Sequence, residues 1–188
     1  MSYLDRSVAQ LTIFEGSIPW MYRDTRGLAT VGVGQMLPSA ASAQALDFAD
    51  SAGAPATPAA ILADFHRIQA MAPAMNANAY RTASSPLLPD DAISSLLLQR
   101  VTEFDGQLAA RFGSYGNFPD PAKLGLLDMI YNLGAHGLFS GFPTFMTFVD
   151  RTDWANAALQ SHRVGPSAER NAWTVAQFQA AAALQGPA

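Results

Sequence analysis

The chain has no cysteine, a single lysine and only three histidines in 188 residues. Without cysteine it has no disulfide bond, no thiol nucleophile and no cysteine ligand for a metal. The histidines are His66, His136 and His162, and none has a partner at the spacing of known zinc sites. We therefore expect neither a metal ion nor another cofactor.

Charged residues are also scarce, at 14% of the chain with a net charge of −4. The arginines are scattered and form no basic patch, which argues against nucleic acid as a partner. No apolar run reaches the roughly 20 residues of a transmembrane helix, so we expect no membrane insertion. The start of the chain lacks the basic segment and apolar run of a signal peptide, which predicts synthesis in the cytoplasm without such a leader.

Apolar residues make up 49% of the chain, which is enough for a folded core. They recur at helical spacing over Tyr3–Phe14, which predicts an amphipathic helix that ends at Gly16. Met21–Asp24 and Leu28–Val33 are β-prone and flank the turn signal DTRG, so they predict a small hairpin.

The rest of the chain is mainly helical by the same periodicity. Pro38–Thr57 is rich in Ala, Ser, Pro and Gly and is predicted to be a loop-rich insertion, and Gln185–Ala188 is predicted to be a loose tail. The segment after Asp120 is apolar on nearly all faces, which predicts a central buried helix. Two further helices are predicted to begin at Pro58 and at Asp120. Four more are predicted to span Asp90–Phe112, Pro143–Val149, Asp153–Leu159 and Ser167–Leu184.

This order of elements predicts an α+β fold, mostly helical, in one domain with two lobes. The smaller lobe would span about residues 13–90 and carry the hairpin and the insertion. The larger, helical lobe would combine residues 1–12 with 91–188. The long helix Asp90–Phe112 would join the lobes, and we expect a cleft between them.

Glu15 and Asp24 are the candidate catalytic pair, because glycoside hydrolysis uses one carboxylic acid and a second carboxylate. Glu15 follows an apolar helix face and precedes apolar residues, so we expect it to be partly buried and to keep its proton. Asp24 is expected at an exposed turn, ionised, with the Thr30 hydroxyl across the hairpin orienting a water. On this pair alone the structural alternative is favoured, since a glutamate at a helix end and an aspartate in a D-x-x-G turn are common.

The same residues belong to a longer pattern, E-G-x7-D-x2-G-x2-T-x-G-x-G, over Glu15–Gly34. This pattern resembles the active-site signature of the phage-type lysozymes, glycoside hydrolase family 24. Further similarity lies in DMIYNLGAHGLFSGFPTF, which resembles the family's central helix and the loop after it, in RTDWANAAL and in the segment that contains Arg170. The similarity covers residues 3–35 and 88–180, whereas residues 38–87 match poorly.

The resemblance implies a lysozyme-like fold and an inverting muramidase that cleaves the β-1,4 bond between N-acetylmuramic acid and N-acetylglucosamine. Glu15 would be the general acid, Asp24 would activate the attacking water and Thr30 would help to hold it. Arg170 would support Glu15 by pairing with it. The implied substrate contacts are Met36, Tyr131 and Gln35, the last standing where the family usually has histidine.

Two biological settings fit this activity: an endolysin that lyses the host wall, or an antibacterial toxin delivered into the periplasm of a rival cell. Peptidoglycan glycan strands are the expected partner, with an inhibitor or immunity protein in the toxin setting. We expect a monomer. The alternative is a catalytically silent lysozyme-like module that binds the wall or has a structural role.

Overall fold

The computed structural model describes residues 1–186, which form two compact units. The sheet unit is Glu15–Leu97. The helical unit combines Met1–Phe14 with the described part of Leu98–Ala188. The predicted limits of the two lobes, and the cleft between them, stay predictions.

The described residues are mostly helical and contain one small antiparallel sheet, which confirms the predicted α+β class. The strands are β1 (Ile18–Arg23), β2 (Ala29–Gly32) and β3 (Gln35–Leu37). The α-helices are α1 (Tyr3–Glu15), α2 (Ala40–Gln44), α3 (Pro58–Ala70), α4 (Asp90–Arg111), α5 (Asp120–Gly141), α6 (Pro143–Asp150), α7 (Trp154–Gln160) and α8 (Ala168–Ala183). Short 3-10 turns occupy Ala77–Tyr80 and Tyr115–Asn117.

The sheet has three strands in the order β1-β2-β3, so the predicted single hairpin was incomplete. Gly32 and Gly34 flank Val33 and have φ angles of +63° and +74°, which glycine adopts readily. They turn the chain back after β2 and allow β3 to pair with it. A Cβ atom at Gly32 would lie 3.3 Å from Ile93 Cγ2, so this glycine also permits close packing on α4.

The insertion predicted to be loop-rich contains α2 and leads into α3. Thr57 caps α3 by accepting a hydrogen bond from the Ala60 amide, and Pro58 follows as the first helical residue. The helix buries Ile61, Phe65 and Ile68 and contacts β1 and β2. This segment therefore supplies the core that covers the sheet.

The helical unit is built around α5, whose residues Leu124–Ile130 are all buried, as predicted. Gly125 lets Phe178 of α8 approach closely, because a Cβ atom there would lie 2.7 Å from the Phe178 ring. Trp154 packs between the Phe178 ring and the Phe118 ring. The ring centroids of Trp154 and Phe118 lie 4.9 Å apart. Aromatic packing around α5 and α8 thus forms the core of this unit.

Two sequence-based expectations about the helical unit need correction. The segment after the central helix was expected to be a loop, but it is helical again after a break at Gly134, where φ is +70°. Gln185, the first residue of the predicted loose tail, is held in place. Its side-chain amide donates a hydrogen bond to the Thr152 carbonyl at 3.0 Å. The last two residues of that expected tail, 187 and 188, lie outside the described residues.

Candidate functional site in the sheet unit

Asp24 lies in the turn between β1 and β2, where its own side chain organises the backbone. Its Oδ1 accepts hydrogen bonds from the amides of Arg26 at 2.9 Å and Leu28 at 2.8 Å. Gly27, at φ +79°, donates its amide hydrogen to the Asp24 carbonyl. Asp24 Oδ2 lies 3.6 Å from the Arg26 guanidinium, and 20% of the side chain is exposed. The turn therefore fixes the carboxylate and leaves part of it open to solvent.

Glu15 is the last residue of α1 and is exposed. Gly16 follows with φ +72° and ends the helix, and Ser17 is exposed as well. The expected partial burial of Glu15, with Asp24 as the more exposed partner, is wrong: Asp24 is the less exposed of the two. The reason is that Glu15 lies beyond the last apolar turn of α1, whereas the β1–β2 turn folds around Asp24.

Thr30 lies on the central strand β2 and is only 2% exposed. Its hydroxyl donates a hydrogen bond to the Leu28 carbonyl at 3.2 Å. The oxygen keeps its capacity to accept a hydrogen bond, which is what holding a water would require. The role of Thr30 in orienting a water stays a prediction.

Tyr22 links the two candidate carboxylates electrostatically, and the sequence-based reasoning missed it. Burial raises the pKa of its hydroxyl, and the negative charges of Asp24 and Glu15 raise that pKa further. Both carboxylates therefore lie close enough to act on one phenol. The signal in the sequence was weak: Tyr22 pairs with Thr30 only once the strand register is known.

Met36 lies on the other side of Thr30, as its partner on β3. Tyr22, Thr30 and Met36 thus form one cross-strand row, and Met36 is 37% exposed. Its sulfur lies 3.1 Å from the Arg26 guanidinium. Gln35 precedes it, half-buried, and donates its side-chain amide to the Met36 carbonyl. The sheet therefore places Met36 beside Thr30, whereas Gln35 lies opposite Val31.

Two predicted site residues, Arg170 and Tyr131, belong to the helical unit. Arg170 is buried, donates Nε–H to Asp128 Oδ1 at 2.7 Å and has its guanidinium 5.2 Å from the Phe14 ring centroid. Tyr131 is half-buried and meets the Phe104 ring edge-on at 6.0 Å. The predicted pairing of Arg170 with Glu15 stays a prediction.

Asp128 organises a buried charge network that the sequence-based reasoning overlooked. Its Oδ2 accepts hydrogen bonds from Arg163 at 2.5 Å and from the Thr174 hydroxyl at 2.6 Å. Asp128 is 2% exposed and Arg163 1% exposed. One buried carboxylate therefore serves two buried guanidinium groups, those of Arg163 and Arg170.

Within residues 1–186, no group of three or more His, Cys, Asp or Glu side chains is placed to hold a metal ion. Over the same residues, no helix is both long and apolar enough to cross a membrane.

A comparison of the chain with protein-family models finds no matching family, and a search of curated proteins finds no significant relative.

Proposed function

We propose that the chain is a lysozyme-like muramidase that hydrolyses the β-1,4 bond between N-acetylmuramic acid and N-acetylglucosamine in peptidoglycan. The observation that carries the proposal is that one unit holds an exposed Glu15, the buried Thr30 and an Asp24 carboxylate that two backbone amides fix with part of it open to solvent. Two carboxylates near one another are the minimal equipment for glycoside hydrolysis. The E-G-x7-D-x2-G-x2-T-x-G-x-G pattern supports the same assignment.

Glu15 would act as the general acid that protonates the leaving glycosidic oxygen. Its exposure in the free chain leaves it accessible to a polymer. A glycan bound over Glu15 would displace water from the carboxyl group and so exclude solvent from the proton transfer.

Asp24 would act as the general base on the attacking water, since its Oδ1 is held by two backbone amides and its side chain is part-exposed. The Thr30 oxygen would accept a hydrogen bond from that water. Attack from the side opposite the leaving group inverts the anomeric centre. Met36 would contact a sugar ring through its exposed side chain, with Gln35 as the other substrate contact of the sheet unit.

The decisive experiment is hydrolysis of purified peptidoglycan by the wild type, Glu15→Gln and Glu103→Gln. Glu103 is an exposed glutamate on α4 and serves as the matched control. We expect Glu15→Gln to lose activity by at least about 100-fold, because general acid catalysis contributes roughly 10²–10⁴. Glu103→Gln should retain full activity.

Equal activity of the wild type and Glu15→Gln would overturn the mechanism. Product analysis adds two checks: the new reducing end should be muramic acid, and it should form first as the α-anomer. Binding of peptidoglycan without any hydrolysis would instead favour the silent wall-binding module.

The proposed setting is the bacterial wall, reached from the cytoplasm either during lysis by an endolysin or by delivery of a toxin. Fusing the chain to a periplasmic export signal tests whether the wall is its target. We expect lysis of the expressing cells by the wild type and none by Glu15→Gln. A neighbouring gene whose product prevents that lysis would assign the toxin role and identify the inhibitor.

A further inference from the structure

A groove of about 590 Å³ lies within the sheet unit, in the region where the resemblance is poor. None of the predicted catalytic residues lines it. Its polar lining comes mainly from hydroxyl and amide side chains, and it contains one charged residue, Arg81. The volume falls in the range of small-ligand sites, roughly 300–1,000 Å³, but the lining suits a polar ligand.

Arg81 is held over the Trp20 ring, with its guanidinium carbon 4.7 Å from the ring centroid. The ring is itself fixed, because the Trp20 indole N–H donates to the Ala77 carbonyl at 2.8 Å. Arg81 is exposed, and among residues 1–186 no carboxylate pairs with it and no acceptor takes a hydrogen bond from its guanidinium. A positioned cation thus keeps five N–H donors for a ligand.

The wall of the groove is tied to α3 by a part-buried network. Arg67 pairs with Asp64 at 2.6 Å and donates to the Tyr80 carbonyl at 2.7 Å. It also donates to Ser85 Oγ at 3.2 Å, and the Thr82 amide donates to the same oxygen at 3.0 Å. The segment that carries Arg81 is therefore held before any ligand arrives, which lowers the entropic cost of binding.

We infer that this groove binds the free carboxylate of a short peptide, namely the stem peptide that peptidoglycan carries on its muramic acid. A planar guanidinium matches a carboxylate with two parallel hydrogen bonds. The single positive charge suits one carboxylate group, and the Ser51, Asn78 and Thr82 side chains would meet the peptide's amide groups. The identity of the peptide rests on the proposed muramidase function, whereas the carboxylate chemistry rests on the groove alone.

The first test measures binding without hydrolysis, by NMR titration with a soluble muramoyl dipeptide. Shifts of the Trp20 indole N–H signal report the groove. We expect saturable shifts in the wild type, an affinity about fivefold weaker in Arg81→Gln, and an intermediate affinity in Arg81→Lys, which keeps the charge but not the planar fork. Arg151→Gln, an exposed arginine in the helical unit, should bind as the wild type does.

Chemistry at the ligand gives the complementary control. A dipeptide whose carboxylate is amidated should bind the wild type about fivefold more weakly than the free dipeptide does. Arg81→Gln should bind the free and the amidated dipeptide with equal affinity. Equal binding of the free and amidated dipeptides to the wild type would overturn the inference, as would wild-type affinity in Arg81→Gln. An unchanged thermal midpoint confirms that Arg81→Gln folds, since the exposed side chain contributes only its stacking on Trp20.

The second test separates this inference from the proposed function. Glycan strands with intact stems and strands stripped of stems by an amidase are compared as substrates. We expect Arg81→Gln to raise KM about fivefold on intact strands, with kcat unchanged, and to leave both constants unchanged on stripped strands. If the wild type cleaves neither substrate, the muramidase proposal fails and the NMR titration still decides the groove. If Arg81→Gln matches the wild type on both, the groove inference fails and the muramidase stands.

Discussion

Asp24 in the sheet unit and Asp128 in the helical unit are both held by several hydrogen bonds, but in different surroundings. Asp24 is bonded by backbone amides of its own turn and remains 20% exposed. Asp128 is 2% exposed and is bonded by side chains from distant segments. The difference separates a carboxylate that remains open to solvent from one that is enclosed by the fold.

A second comparison lies inside the sheet unit, because Asp50 forms the same turn as Asp24. Asp50 Oδ1 accepts hydrogen bonds from the Ala52 and Ala54 amides at 2.9 and 3.0 Å. Gly53 donates to the Asp50 carbonyl and has φ +82°. The D-x-x-G turn is therefore not by itself a sign of catalysis. What distinguishes Asp24 is its action, together with Glu15, on Tyr22.

The largest expected effect is the loss of stability in Asp128→Ala. Removing the carboxylate takes away the buried acceptor that pairs with both Arg163 and Arg170, so we expect the free energy of unfolding to fall by about 3–5 kcal/mol. Urea denaturation measures it. Asp150→Ala is the control, because its ion pair with Arg111 is exposed and should cost about 0.2–1 kcal/mol. Similar losses in both variants would remove the distinction between the buried and the exposed carboxylate.

The second prediction compares Asp24→Asn with Asp50→Asn. Asparagine keeps the side-chain oxygen that accepts the turn amides, so both variants should fold with unfolding free energies within about 0.5 kcal/mol of the wild type. We expect kcat on peptidoglycan to fall at least about 100-fold in Asp24→Asn and to stay unchanged in Asp50→Asn. If Asp24→Asn remained fully active, the assignment of Asp24 as general base would be lost.

The third prediction concerns alkaline pH and the helical unit. The Tyr3 and Tyr115 hydroxyls both donate to the Asp105 carboxylate, at 2.9 and 2.6 Å. Burial and Asp105 raise the pKa of Tyr3 to about 12, and they raise that of Tyr115 as well. Both pKa values lie above the value of 10.0 in the unfolded chain. The stability that the two tyrosine hydroxyls contribute is therefore fully present below pH 10, and it is lost as the pH rises through their pKa values in the folded protein.

Each of these hydrogen bonds to a charged acceptor is worth about 1.5–3 kcal/mol. Unfolding free energies measured from pH 9 to pH 12 should therefore decline, and the decline should be smaller in Tyr115→Phe. The same slope in the variant and the wild type would show that Tyr115 does not couple folding to alkaline pH.

The smallest expected effect is a shift in the titration of Tyr22, followed by NMR of labelled tyrosine. Neutralising either carboxylate should lower the Tyr22 pKa towards its ordinary value, more in Asp24→Asn than in Glu15→Gln, because Asp24 has the larger influence. Asp50→Asn should leave the titration unchanged. A larger fall of the Tyr22 pKa in Glu15→Gln than in Asp24→Asn would contradict this and make Glu15 the carboxylate with the larger influence.

Helices with strong local signals were predictable from the sequence. The amphipathic run from Asp90 gives α4, which ends at Arg111, one residue before the predicted end. Thr57 and Pro58 start α3, and Ser167 caps α8 by accepting from the Arg170 amide. These features depend on residues within a few positions of one another, so propensity and capping decide them.

The third strand escaped prediction because Gln35–Leu37 is too short to show a β pattern without its partner β2. The relative exposure of Glu15 and Asp24 was predicted in the wrong order for a similar reason. Apolar neighbours in sequence bury a side chain only if the chain folds back over it, and after α1 it does not. The Asp128 network was invisible because its arginines lie 35 and 42 residues away along the chain.

The sequence by itself determined the mostly helical α+β class, the turn at Asp24 and the motif that resembles the lysozyme signature, since each depends on short-range chemistry. Only the tertiary structure decided that the Asp128 carboxylate is buried and that the Tyr22 pKa responds to both Glu15 and Asp24. It also placed Arg81 over the Trp20 ring, where no acid of the described residues pairs with it. The physical reason is that solvation and charge act through space. Residues far apart in the chain set the environment of a group, and that environment sets its chemistry.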